Sequence, residues 1–115
     1  YDVPLRREAV KLARALKIRA IEGVYTAVTG PSYETPAEVK MYRLLGGDIA
    51  GMSVVPETIT ARQLKIRVAA LCWVSNFTSG ISKTLLSHDE VLELGEKVSE
   101  KMRALLEGLL KSGVI

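Results

Sequence analysis

Apolar and polar positions along the chain alternate between two periods. Residues 3–15 repeat at helical spacing, with Leu5, Ala9, Leu12 and Leu16 on one face. Asp2 stands where an N-cap belongs, and Pro4 is tolerated in a first turn. Residues 23–28 form a short β-branched run bounded by glycine, the pattern of a buried strand, and Gly30-Pro31 breaks it. Thr35-Pro36-Ala37-Glu38 is a capping box with proline at the first helical position, so a helix is expected to about Leu45, stopped by Gly46-Gly47. A second strand is expected over 48–54, a short helix from Pro56 to about Leu64, and a third, almost wholly apolar strand over 67–74. A polar loop over 75–87 follows. Ser87-His88-Asp89-Glu90 reads as a second capping box that opens a long amphipathic helix to about Lys111, closed by Gly113.

The order α-β-α-β-α-β-α implies α/β architecture with parallel strands joined by crossovers. In such sheets ligands bind beyond the carboxyl ends of the strands. Three strand ends carry polar tips: Glu34 after the first, Met52 and Ser53 at the end of the second, and Ser75 with Asn76 after the third. Presented to one crevice, these groups suit a flat polar heterocycle attached to a sugar. Glu34 sits just before a rigid helix start, and a carboxylate there can accept two N–H donors at once. A solvated glutamate favoured by the helix dipole is the plainer alternative. An asparagine closing a strand, a methionine filling a core and a tyrosine packed on a strand are likewise common structural roles for Asn76, Met52 and Tyr25.

The remaining chemistry narrows the classes. The 115 residues make one domain at most, with 48% hydrophobic and 25% charged residues. No apolar run reaches the roughly 18 residues of a membrane span, and no signal peptide opens the chain, so a cytoplasmic place is expected. The lone Cys72 lies in an apolar run and is expected to be buried and inert. Net charge is +3, and Arg6, Arg7, Lys11, Arg14, Lys17 and Arg19 cluster early. They fall on the solvated side of the first helix, without aromatic platforms, so nucleic acid is not the expected partner. One histidine and one cysteine give no support for zinc. No glycine-rich phosphate loop of the common kinds is present.

The motifs GPSYETPAE (30–38) and GMSVVPE (51–57), with the pair Ser75-Asn76, resemble in order the C-terminal half of the trimeric, low-molecular-mass purine nucleoside phosphorylases. The likeness runs over nearly the whole chain. It implies that residues 1–115 are the C-terminal part of a single phosphorylase domain. The expected fold is a phosphorylase-type α/β/α sandwich, with a mixed, mainly parallel sheet that is incomplete without the N-terminal half. The start at Tyr1 and the family's greater length agree with half an enzyme.

The resemblance also implies a reaction: inosine or guanosine plus inorganic phosphate gives free purine and ribose 1-phosphate, with no other cofactor. By resemblance, Glu34 and Asn76 hold the 6-oxopurine and stabilise charge on the departing base. Tyr33 stacks on it, and Gly51 and Ser75 complete the purine pocket. Met52, Tyr25 and His88 face the ribose, with His88 toward the 5′-hydroxyl, and Ser53 touches phosphate. Ser75 stands where relatives often carry threonine, and Phe77 departs from a lysine of some relatives. Most of the family's phosphate ligands lie in the N-terminal half, so the chain alone is expected to be inactive. A homotrimer is implied. The alternatives are a methylthioadenosine phosphorylase, against which Asn76 and His88 argue, and a non-catalytic nucleoside-binding or assembly module.

Overall fold

In the computed structural model, residues 1–77 and 88–115 are described, the side chains of residues 88–94, 96 and 97 excepted. Helix α1 runs Val3–Ala15, capped by the Asp2 carboxylate, which accepts from the Leu5 amide at 2.9 Å. Its inner face is set by Ala9 and Ala13, while Arg7, Lys11 and Arg14 are exposed, as the periodicity requires. Helix α2 covers Pro36–Leu44, α3 Val55–Gln63 and α4 His88–Lys111. Gly113, just beyond α4, takes φ 71°, the left-handed turn that closes a helix. The expected cap at Ser87 lies outside the described residues.

Strands β1 (Tyr25–Ala27) and β2 (Ile49–Gly51) pair in parallel, Tyr25 opposite Ile49 and Ala27 opposite Gly51. Bonds flank the ladder at both ends. The Asp48 amide donates to the Val24 carbonyl at 2.9 Å, and Val28 donates to the Gly51 carbonyl at 3.0 Å. The Asp48 carboxylate accepts from the Val24 amide at 2.7 Å, so one side chain fixes the start of both strands.

The third apolar run departs from expectation: among the described residues the sheet has two strands, and residues 67–74 join no ladder. A strand exists only with a hydrogen-bonding neighbour, and among the described residues the run finds no strand to pair with. It is anchored instead where the Asp2 amide donates to the Val68 carbonyl at 2.7 Å. Cys72 stands exposed rather than buried, on a run that joins no ladder among the described residues. The thiol still borders an apolar pocket shared with Tyr25, Ile49 and Leu105, and partial desolvation there pushes its pKa up.

Burial concentrates between two helices. Helices α1 and α4 pack together, and Ala9 and Ala13 of α1 and Leu105 and Leu109 of α4 are all less than a tenth exposed. Elsewhere large apolar side chains face water, among them Leu44 at 90% and Leu45 at 78% exposure. The radius of gyration is 15.3 Å, against about 13 Å for a close-packed chain of this length. Among the described residues, a large apolar surface thus stands open to water.

Candidate functional site

The two strand ends are built by local chemistry and then joined. After β1 the chain turns at Gly30, whose φ of 63° is natural only for glycine. A side chain there would also collide with Met52, which packs directly over the Gly30 backbone. Thus the loop after β1 and the tip of β2 are in contact. Thr35 then caps α2. Its hydroxyl accepts from the Glu38 amide at 3.3 Å, while the Glu38 carboxylate accepts from the Thr35 amide and hydroxyl, each at 2.7 Å. These bonds, the backbone one foremost, hold the Glu38 carboxyl below its ordinary pKa against a small opposing effect of burial.

A polar concavity lies at the end of β1, bordered by Ala27, Thr29, Gly30, Tyr33, Glu34 and Tyr42, with Glu38 on its rim. Glu34 is half-buried there, and the Tyr33 side chain is exposed beside it. A carboxylate and an aromatic ring so placed can grip a flat ring by its N–H edge and its face. Thr29 and Tyr42 were not foreseen from sequence. Tyr42 carried a readable signal, since it lies four residues beyond Glu38 and so on the same face of α2.

At the tip of β2 the Tyr25 hydroxyl accepts from the Ser53 amide at 3.2 Å. The Tyr25 ring lies against Gly51 so closely that no side chain fits at that position. Tyr25, Gly51, Met52 and Ser53 therefore form one cluster, with Met52 and Ser53 exposed. The next residue carries strain. Val54 has φ 76° and ψ −50°, and the Val55 amide donates back to the Ser53 carbonyl at 2.9 Å, which makes a γ-turn. The Val54 carbonyl in turn accepts from the Thr58 amide at 2.9 Å and the Thr58 hydroxyl at 2.7 Å. A β-branched residue gives no sequence signal for positive φ, because the conformation is imposed by what surrounds it.

Ser75 and Asn76 close the third apolar run, both half-buried, and stand outside the residues that border the Glu34 concavity. His88 opens α4, and its side chain is outside the described set.

Comparison with known proteins places this geometry. Residues 1–111 match the Phosphorylase superfamily. The purine nucleoside phosphorylase 1 of Bacillus subtilis is 48% identical over 96% of this chain and 41% of its own length. A probable S-methyl-5′-thioinosine phosphorylase of Methanopyrus kandleri is 43% identical over 93% of this chain and 42% of its own length. A schistosoma purine nucleoside phosphorylase crystallised with hypoxanthine superposes with a TM-score of 0.93 at 36% identity, over 98% of this chain and 42% of that one. The chain belongs to the phosphorylase superfamily. It spans about two-fifths of the length of the relatives it matches.

Proposed function

We propose that this chain supplies the purine and much of the ribose site of an enzyme that phosphorolyses 6-oxopurine nucleosides, residues 1–115 being the C-terminal part of its single domain. Inorganic phosphate is the co-substrate, and free purine and ribose 1-phosphate are the products. The observation that carries this reading is the joining of two strand ends, where Gly30 and Met52 touch beside the half-buried Glu34. It supports an acceptor for a base set next to a surface for a sugar.

Each residue then has a physical task. Glu34 accepts from the N1–H edge of the base, and Tyr33 covers its face. Asn76, with Ser75 beside it, donates to the base as negative charge grows there when the glycosidic bond breaks. Such a contact is stronger in the transition state than in the ground state, which is what speeds the step. Met52 and Tyr25 border the ribose, Gly51 lets Tyr25 approach, His88 addresses the 5′-hydroxyl, and Ser53 meets phosphate. One serine cannot hold phosphate alone. Turnover therefore requires the remainder of the enzyme, in a homotrimer serving purine salvage in the cytoplasm.

A second reading concerns the 5′ end of the sugar. The Methanopyrus kandleri relative, a probable S-methyl-5′-thioinosine phosphorylase and so named for a 5′-methylthio nucleoside with a 6-oxo base, supports a site that takes the thioether in place of the hydroxyl. Substitution of aspartate at Asn76 would favour the 6-amino base of methylthioadenosine instead, and the asparagine speaks against that substrate.

The test is base release by the full-length protein, with and without inorganic phosphate, from inosine, guanosine, adenosine and S-methyl-5′-thioinosine. Phosphate-dependent release with inosine or guanosine preferred supports the proposal. Preference for the thioether selects the second reading. Saturable nucleoside binding without turnover makes the chain part of a binding module.

A further inference from the structure

Glu38 borders the same concavity as Glu34 but sits one helical turn further on, where a capping residue would normally be credited with helix stability alone. Its contacts point elsewhere. Both Thr35 donors, the amide and the hydroxyl, converge on one oxygen of Glu38 at 2.7 Å. The Thr35 amide belongs to the peptide that joins Glu34 to Thr35. Holding that N–H fixes the plane of the peptide, and with it the backbone rotation that aims the Glu34 side chain. Pro36 follows immediately and locks the other side of Thr35. Glu34 is thus clamped from its carboxyl side, while Gly30 and Met52 secure the loop on the other.

We propose that Glu38 is a positioning residue for base recognition: through the Thr35 amide and hydroxyl it sets the direction of the Glu34 carboxylate, without touching the base itself. The inference rests on the reading of Glu34 as the base acceptor. A bidentate contact tolerates little rotation of the carboxylate, so freeing the Glu34–Thr35 peptide weakens binding even though Glu34 is retained.

The test is hypoxanthine affinity measured by calorimetry on the full-length protein, in wild type, Glu38→Ala, Glu34→Gln and the double variant. Glu38→Ala is expected to weaken binding about ten-fold in wild type and less than two-fold when Glu34 is already Gln. Glu38→Gln keeps an acceptor at the same reach and is expected to restore affinity to within about two-fold. Glu38→Asp keeps the charge near the helix start but shortens the reach, so it should behave like alanine and serves if Glu38→Ala does not fold. Equal weakening in both Glu34 backgrounds, or unchanged affinity in Glu38→Ala and Glu38→Asp, would overturn the inference. Unchanged affinity in Glu34→Gln would instead overturn the base-acceptor reading on which it stands.

Discussion

Between α1 and α4, Ala9, Ala13, Leu105 and Leu109 are withdrawn from water. At the ends of β1 and β2, Tyr33, Met52 and Ser53 stay exposed and the backbone is held by hydrogen bonds, a capping box and a γ-turn. The helix pair is shaped by non-directional burial. The strand ends are shaped by directional contacts between neighbours in sequence, joined across the tip by Gly30 against Met52 and by Tyr25 with Ser53. The contrast shows how a chain with a small core can still keep the loops at its strand ends in place, since capping and turn chemistry need few partners from outside. It also separates two kinds of damage. Loss of packing between α1 and α4 should cost stability, and loss of directional groups at the strand ends should cost chemistry.

Leu105→Ala should have the larger effect on the packed side. Removing a side chain that is 4% exposed should destabilise by about 2–4 kcal/mol. Urea unfolding of the full-length protein measures it, and kcat/KM for inosine at a permissive temperature should stay within about two-fold of wild type. A parallel collapse of kcat/KM would mean the two regions are not separable.

On the other side, the capping contact predicts a pH dependence. The Glu38 carboxyl lies below its ordinary value of 4.5 in the folded chain, through its bonds to the Thr35 amide and then the Thr35 hydroxyl. A group depressed on folding stabilises the folded state above its unfolded pKa and stops doing so as pH falls through its folded pKa. The gap in Tm between wild type and Glu38→Ala should therefore be constant from neutral pH to about 5.5 and narrow on acidification below about 4. A gap independent of pH down to 3 would remove the ionised carboxylate from the cap.

The smallest effect sharpens the helix contact itself. A methyl group added at Gly108 would meet the Leu12 side chain at 3.5 Å, an ordinary contact distance. Gly108→Ala should be neutral or stabilising by up to about 1 kcal/mol, through better helix propensity. Clear destabilisation in thermal melts would mean that α1 and α4 approach too closely for that methyl.

What the sequence revealed follows the same division. The limits of α1, the Asp2 cap and the Thr35–Glu38 box are legible because each is decided within a few residues. The positions of Glu34, Met52 and Ser53 at strand ends are legible for the same reason. The third strand is not, because a strand is a relation to a neighbour, and residues 67–74 join no ladder among the described residues. The expected burial of Cys72 depended on that same strand. Val54 was unreadable in another way: its φ of 76° contradicts its own preference and is held by Val55 and Thr58. The meeting of Gly30 with Met52 is a contact across 22 positions, which no local pattern encodes.

The most direct measurement is kcat/KM for inosine in the full-length protein bearing Glu34→Gln, together with its Tm. Loss of a charged acceptor to a base N–H should lower kcat/KM by about 30-fold to 1,000-fold, equivalent to about 2–4 kcal/mol, with Tm unchanged within a degree or two. Near-normal kcat/KM would contradict the account and leave Glu34 a solvated residue at the start of a helix.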